Sequence, residues 1–490
     1  MGVWSTKSIA TLQADPTPDG GAPTFSRRLG PLDLCALGVG AIIGAGIFIR
    51  TGTASAQYAG PAVVLSFIVA GIGCLFVGLC FAELATMLPI TGGPYTYCYA
   101  AFGELIGWLI GWDLMLEYLL GASTVAVSWS GYFVALMKGW GIAIAPSLTQ
   151  APFIAEAGFQ LRRVPGAVVN LPAVVLVVLM TVVLALGIRT SAITNRALVI
   201  VKVAIILLIV GFGFLYLNPS NWHPFVPPNG GSFGRFGWSG ILQGAVVVFF
   251  AFIGFDAVTI ASQEARSPQR DLPIGILGSL AICTTLYVLM ALVMTGLTRF
   301  PDLNVPHPLV VAMETVDPNF RWVGPLINVA IVFGLASVGL VLLMGQPRLI
   351  HAMSRDSLLP RSFGQVDPRV RIPFGATIAT GVVASIVAGV FPLGLILEAV
   401  SIATLIAFVG VCVAVMVLRY REPTVRRPFR APLVPLVPVL GIVFSVGTLM
   451  GIPTESWTPV VVWFAIGLVV YGAMRVRRTE NRREVIVRVE

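Results

Sequence analysis

Two stretches of backbone in this chain predict a site that holds a small ligand through main-chain groups. The first runs from Gly38 to Phe48 in an apolar segment and contains four glycines, at positions 38, 40, 44 and 46. Each glycine costs roughly 1 kcal/mol relative to alanine in a helix interior, so this stretch predicts a broken helix. Hydrocarbon cannot satisfy the N–H groups that a break sets free, but a ligand bound at a broken membrane helix can.

The second stretch, Phe249 to Asp256, places a glycine and an acid in another apolar segment. Free N–H groups at the first break suit a carboxylate, which the positive end of a helix dipole also favours. Free carbonyls at the second break suit an ammonium. Together the two breaks predict a clamp for a zwitterion. Gly40 and Gly44 also form a GxxxG motif, so close helix packing is the alternative for the first stretch.

Lys202 is the next residue that could do chemistry. It is one of three lysines and lies well inside an apolar segment, where a charge costs about 2.5–3.5 kcal/mol on insertion scales. The functional interpretation is a proton-coupling group, or a fixed cation in the place of a bound metal ion. The alternative is a structural lysine that snorkels to the interface or pairs with an acid.

Three acids within apolar segments leave several roles open. Asp113 and Glu117 lie four residues apart on one helix face, and Asp256 follows the second break. Each could pair with Lys202, recognise a cationic substrate, or accept hydrogen bonds from the backbone.

Two aromatic side chains beside the second break could close the site. Phe250 and Phe252 are the candidates for an apolar gate. Their rings could equally face lipid or neighbouring helices, and the sequence alone leaves both interpretations open.

The composition requires elements that lie in a membrane. Hydrophobic residues make up 57% of the 490 residues and charged residues only 11%, whereas soluble domains carry about 25% charged residues. Apolar windows of about 20 residues predict twelve membrane-spanning helices. Their approximate bounds are 32–57, 62–88, 103–137, 172–188, 193–217, 239–262, 275–296, 322–350, 373–391, 395–418, 433–450 and 457–474.

The breaks fall in the first and sixth spans, which predicts an all-α membrane protein built from two inverted five-helix repeats. On this scheme residues 1–30 form a disordered tail, 31–430 the core, 431–475 spans eleven and twelve, and 476–490 a C-terminal tail. Twelve spans put both termini on one side. That side carries 23 of the 31 basic residues and the opposite side seven, with Lys202 between them. The positive-inside rule therefore places both termini in the cytoplasm.

The remaining composition excludes several function classes. The net charge of +9 follows from the topology and gives no evidence for nucleic-acid binding. The six cysteines and three histidines show no metal, disulfide or catalytic spacing. Without a nucleophile–base pair or a metal cluster we do not expect an enzyme, and we predict no metal and no cofactor.

Several motifs make the chain similar to the amino acid–polyamine–organocation permeases, in particular to the twelve-span bacterial form of the cationic amino acid transporter branch. They are the glycine-rich stretch from 40 to 48, the stretch from 249 to 256 with Pro268–Pro273, the segment from Gly345 to Asp356, and the segment from Leu88 to Tyr95. The resemblance covers about residues 30 to 430. It implies a LeuT-type 5+5 inverted repeat that imports α-amino acids by alternating access.

The resemblance also implies which groups hold the ligands. The N–H groups that would bind the substrate carboxylate belong to Ile43, Gly44, Ala45 and Gly46, and the carbonyls that would bind its ammonium to Phe250, Ala251 and Ile253. Lys202 would replace a coupling sodium ion, beside the carbonyls of Gly40 and Ile43 and the hydroxyl of Ser337. The lysine argues against sodium coupling and for proton coupling.

Two positions depart from the family pattern. Ala45 stands where many relatives place a hydroxyl residue, so we expect no side-chain hydrogen bond to the carboxylate there. Gln263–Glu264 replaces the acidic pair common in the branch, which leaves the charge pairing of an inner gate open.

The sequence thus favours a secondary active transporter that imports α-amino acids across the cytoplasmic membrane, coupled to protons through Lys202. Its partners would be the amino acid, protons and the lipid bilayer. A cationic and a small neutral side chain both fit the predicted site. The alternatives are an antiporter or facilitative exchanger on the same fold, with amines as further substrates, and a membrane receptor that binds without transport.

Overall fold

The computed structural model describes residues 29–44, 46–90, 92–156, 160–305, 308–315 and 323–487, together with Thr6 and Ile9. The predicted N-terminal tail therefore lies almost entirely outside the described residues, and so does Ala45. The helices are α1 Pro31–Ile42, α2 Thr51–Ala54, α3 Val63–Met87, α4 Pro94–Phe102, α5 Glu104–Gly139, α6 Leu171–Ala185, α7 Ile188–Phe214, α8 Gly237–Phe249, α9 Ala257–Ile260, α10 Pro268–Leu297, α11 Pro308–Glu314, α12 Val323–Arg355, α13 Phe374–Val390, α14 Leu393–Arg421, α15 Leu436–Met450 and α16 Trp457–Val487.

Helical stretches long and apolar enough to cross a membrane account for most of the described chain. There are eight among the described residues: Thr51–Met87, Glu104–Gly139, Ile193–Phe214, Gly237–Ile260, Pro268–Leu297, Ile331–Arg355, Ile396–Arg421 and Thr454–Val476. Four shorter apolar helices, α1, α6, α13 and α15, accompany them. The chain is therefore a mostly helical, multi-pass membrane protein. The count of twelve spans and the inverted repeat stay predictions.

One short β-hairpin departs from the all-helical expectation. Strands β1 Phe153–Glu156 and β2 Gln160–Arg163 pair antiparallel in the connection between α5 and α6, with Phe153 opposite Arg163. Each strand has four residues, fewer than the about nine to eleven that a membrane-spanning strand needs, so the hairpin is a local element of the connection.

Helix α7 lies between two packed groups of helices. Helix α10 packs against α1 and α3, and α8 packs against α3, whereas α5 packs against α12 and α14. Helix α7 contacts α12 on one side and both α1 and α10 on the other. A side chain on α7 can therefore bond across the seam between the two groups.

The chain before α1 is held against the chain that follows the second break. The Leu29 N–H donates to the Glu264 carbonyl at 2.9 Å, and the Arg266 N–H donates to the Leu29 carbonyl at 2.9 Å. The predicted disorder of residues 1–30 therefore does not extend to Leu29.

Candidate functional site at two broken helices

The first break leaves fewer free N–H groups than the sequence suggested. Helix α1 ends at Ile42, and Ile43 leaves the helical path with φ −74° and ψ 95°. The Ile43 N–H still donates to the Val39 carbonyl at 3.1 Å, and helical structure resumes at Gly46 as one π-helical turn. Because the Ile43 N–H already has a partner, Gly44 and Gly46 are the described residues that remain as carboxylate donors.

The second break changes the backbone direction over five residues. Helix α8 ends at Phe249, a 3₁₀ turn covers Phe250–Phe252, and Ile253 is extended with φ −60° and ψ 137°. Gly254 then has a φ of +113°, in the region that favours glycine because it has no Cβ. The carbonyl of Ile253 thus stands outside any helical hydrogen-bond ladder.

The two breaks lie in direct contact with each other. A Cβ added to Gly46 would overlap the backbone of Ala251, and one added to Gly254 would approach the Ala41 carbonyl oxygen to 3.0 Å. Ala251 and Ile253 are also buried. The groups predicted to bind a carboxylate and the groups predicted to bind an ammonium therefore belong to one site.

Tyr287 on α10 joins the two breaks, a role that no sequence pattern indicated. Its hydroxyl oxygen lies 2.9 Å from the Ile42 carbonyl and 2.7 Å from the Ala251 carbonyl. A phenol has one hydrogen to donate, so it satisfies one carbonyl at a time. One tyrosine in an apolar helix carries no periodic signal. Its contact with Ala251 occupies one of the three carbonyls predicted for the ammonium.

Lys202 bonds across the seam between the helix groups. Its Nζ donates to the Gly40 carbonyl at 2.7 Å, the Ile43 carbonyl at 2.9 Å and the Ser337 hydroxyl at 2.8 Å. These three acceptors are the ones that the resemblance implies, and they match the three donors of an ammonium group. The side chain is buried. No acid is among these acceptors, so the lysine does not balance a carboxylate here.

The three membrane acids gather near α9, away from Lys202. Asp256 Oδ2 accepts a hydrogen bond from the Tyr118 hydroxyl at 2.6 Å, and Glu117 and Asp256 lie close enough to interact electrostatically. Both oxygens of Asp113, both of Glu117 and Oδ1 of Asp256 are buried without a hydrogen-bond partner in the part of the chain that the structure describes. Within that part no group of three acids, histidines or cysteines could hold a metal.

The two gate candidates have different surroundings. The ring of Phe252 is fully buried and packs against Phe67 and Tyr287, with centroid distances of 6.4 Å and 5.3 Å. Phe250 is only partly buried. A ring that moves must have room to turn, so Phe250 is the better candidate for a gate.

Glu264, at the departure from the family pattern, forms a buried ion pair. Its carboxylate accepts a hydrogen bond from the Arg348 guanidinium on α12 at 2.5 Å, and both side chains are at most 4% exposed. The pair therefore joins the chain after the second break to the opposite helix group. The sequence contained both residues, but only the packing of α12 shows that they meet.

Comparison with known proteins gives consistent matches along nearly the whole chain. Residues 29–474 match the family model described as "Amino acid permease". The chain is 41% identical to the methylthioribose transporter of Bacillus subtilis, over 95% of this chain and 96% of the relative. It is 42% identical to the branched-chain amino acid permease BcaP of the same organism, over 96% and 97%. It is 36% identical to the vacuolar cationic amino acid transporter 4 of Arabidopsis thaliana, over 82% and 65%.

Proposed function

Since the chain belongs to the amino acid permease family, and is a transporter rather than an enzyme, we propose that it imports α-amino acids coupled to protons. The contact between the two breaks carries this proposal. In it, the N–H groups of Gly44, Ala45 and Gly46 bind the substrate carboxylate. The opposite break binds the ammonium. A ligand with both charges on one carbon can bind beside this contact and reach the groups of both breaks at once.

The ammonium ligands follow from the geometry of the second break. The extended backbone at Ile253 gives its carbonyl no helical partner. The carbonyls of Phe250 and Ala251 complete the set, and Tyr287 donates to Ala251 until substrate replaces it. Phe250 then closes the site once the amino acid is bound.

In this proposal Lys202 occupies the position of a coupling ion and replaces its charge. A sodium ion at its position would be held by the same carbonyls and hydroxyl, because hard cations bind oxygen ligands. The lysine instead brings a proton, and it releases that proton when the seam around α7 opens. Loss of the charge then weakens the contact between α1 and α12 and favours the conformation that releases substrate.

The proposal includes twelve spans in two inverted repeats, with spans eleven and twelve outside them and both termini in the cytoplasm. Four short apolar helices beside the eight longer stretches support the count. The distribution of basic residues supports the orientation.

Uptake into proteoliposomes tests the coupling. An imposed pH gradient should drive accumulation of labelled amino acid, and Lys202→Ala should abolish it, while Lys138→Ala at the end of α5 serves as the matched lysine control. If internal amino acid exchanges for external amino acid at the same rate with and without a pH gradient, the result would contradict symport and favour the exchanger. Binding with no labelled amino acid carried across would indicate a receptor.

The substrate has a second candidate because the relatives differ in their names. A methylthioribose transporter is as similar to this chain as a branched-chain amino acid permease. Methylthioribose has neither a carboxylate nor an ammonium, so it could not use the proposed clamp. A competition panel of the twenty amino acids and methylthioribose against labelled alanine and arginine separates the cases. Competition by methylthioribose alone would contradict the clamp.

A further inference from the structure

A cavity opens beside the first turns of α7, between α1, α12 and the turn that ends at Glu264. Its volume is about 30 Å³, which is room for roughly two water molecules. Polar residues Asp33, Asn195, Arg196 and Glu264 contribute to its wall, together with apolar side chains. Arg196 and Asp33 form a partly exposed ion pair, which marks the mouth.

Asn195 lines this cavity and also carries an unsatisfied oxygen that lies against Gly40. Its residue is 7% exposed, and Oδ1 is buried without a hydrogen-bond partner in the described residues. A buried acceptor of this kind costs free energy unless water reaches it. Four of the ten lining residues are polar and the space opens to solvent, so the cavity can hold water along the part of its wall that Asn195 forms.

Val199 lies on α7 between Asn195, which lines the cavity, and Lys202. The residues at 195, 199 and 202 follow one face of α7, by helical spacing. A Cβ on Gly40 would lie 3.0 Å from both Asn195 Oδ1 and Val199 Cγ2, so both side chains press on the residue whose carbonyl accepts from Lys202. Val199 is 6% exposed. In this conformation an apolar side chain blocks water between Asn195 and the lysine.

We propose that Asn195 and Val199 form a proton valve between Lys202 and this cavity. When α1 moves away from α7, Val199 loses its contact with Gly40 and water held by Asn195 reaches the lysine. The proton passes from the Lys202 ammonium to that water and on to the cytoplasm, and a neutral amine remains. The inference rests on the proposed proton coupling through Lys202.

Other charged groups around this path are already engaged. Asp33 faces it from α1 and Arg196 from α7, and these two pair with each other. Glu264 faces it from the turn after α9 and is held by Arg348 from α12. The Cys283 thiol on α10 lies near Lys202. Asn195 is thus the polar group of the wall that is buried and still offers an unused acceptor.

A proton-leak measurement tests the valve. Proteoliposomes with a pH-sensitive dye inside, and no amino acid, should acidify at least about tenfold faster with Val199→Ala than with wild type, since narrow apolar constrictions exclude water. The control is Val201→Ala, because Val201 is 42% exposed on the outer face of α7. The double variant Asn195→Leu/Val199→Ala should lose the leak again. A leak equal to that of wild type would overturn the proposal.

A second measurement separates a relay from a packing role. Asn195→Leu keeps the branched shape of the side chain and removes the amide, so gradient-driven uptake should slow by about tenfold, as for one lost hydrogen bond to a reacting water. Amino acid exchange without a gradient should stay at the wild-type rate. Equal losses in both assays would mean that Asn195 only packs, and no loss would exclude the relay. If uptake by the wild-type protein does not respond to the pH gradient, proton coupling is wrong, and the result contradicts the proposed function and not the valve alone.

Discussion

Two buried charge sites of this protein satisfy their polar groups in opposite ways. The Lys202 ammonium has three donors and bonds to three acceptors at 2.7–2.9 Å. By contrast, five carboxylate oxygens of Asp113, Glu117 and Asp256 are buried without a partner among the described residues. One site is complete in this conformation, and the other is not.

The difference shows which site is built to hold charge here. A buried ion is stable only when its hydrogen bonds are made, as they are around Lys202. Five of the six carboxylate oxygens lack donors among the described residues, so we expect these acids to carry protons or to bind water or a cation in another conformation. The hydrogen bonds of Lys202 therefore hold α1 and α12 together in this conformation. The acids can gain new partners when the helices move.

The largest effect on stability should come from breaking the buried ion pair between Arg348 and Glu264. Arg348→Ala leaves Glu264 buried without its ion-pair partner, which costs about 3–5 kcal/mol for pairs of this kind. Thermal unfolding in detergent measures the loss. The matched control is Arg196→Ala, because that ion pair is partly exposed and should contribute at most about 1 kcal/mol. Equal losses for both variants would contradict the distinction.

Lys202→Arg should separate charge from proton release. Arginine keeps the cation but does not give up its proton in proteins. Gradient-driven uptake should fall by about 100-fold, near 2.7 kcal/mol, and should no longer vary with external pH between about 5 and 8. Uptake in proteoliposomes over that range measures both. A variant that still accumulates amino acid with the wild-type pH dependence would show that Lys202 acts only as a fixed charge.

Tyr118→Phe tests the hydrogen bond that the Tyr118 hydroxyl donates to Asp256. Removal of the hydroxyl that donates to Asp256 Oδ2 should cost about 1–3 kcal/mol, as for a buried acceptor left alone. The unfolding temperature in detergent reports it. Tyr97→Phe is the control, because the Tyr97 hydroxyl is buried with no hydrogen-bond partner among the described residues. A larger loss of stability for Tyr97→Phe than for Tyr118→Phe would contradict the stabilising role assigned to the hydrogen bond between Tyr118 and Asp256.

Asp113→Asn should have the smallest effect. Neither oxygen of Asp113 has a partner in the described chain, so an amide of the same shape loses no hydrogen bond, and its cost should stay below the about 1–3 kcal/mol of a buried group that loses its partner. The same assay measures it. A loss of several kcal/mol would show that the Asp113 carboxylate is charged and paired, which would make the acid site resemble the lysine site.

The sequence predicted those features that depend on composition along one helix. The low fraction of charged residues indicated membrane helices, and the glycines indicated where α1 and α8 end. The contacts of Lys202 came from the family resemblance, because no local pattern places Ser337 beside a residue 135 positions earlier.

Features that depend on packing between helices were not predicted. Tyr287 and Asn195 belong to no local sequence motif, and their roles depend on the residues of other helices that lie opposite them. The Ile43 N–H was predicted to be a free donor, but it is bonded in the structure for another reason. Helix ends cannot be placed to within one residue from sequence, and α1 extends far enough for this N–H to donate to the Val39 carbonyl. The β-hairpin after α5 has only four residues in each strand, too few for an alternating pattern to be distinguished in the sequence.

The contact of Gly46 with Ala251 limits how this protein can acquire a new substrate. Where two backbones touch, no larger side chain can be introduced without separating the helices. The walls at the breaks are therefore the same for every substrate, and they recognise only what all substrates share. New selectivity has to arise on helices that face the breaks, such as α5, α12 and α14. A library for altered specificity should vary those helices and leave both breaks as they are.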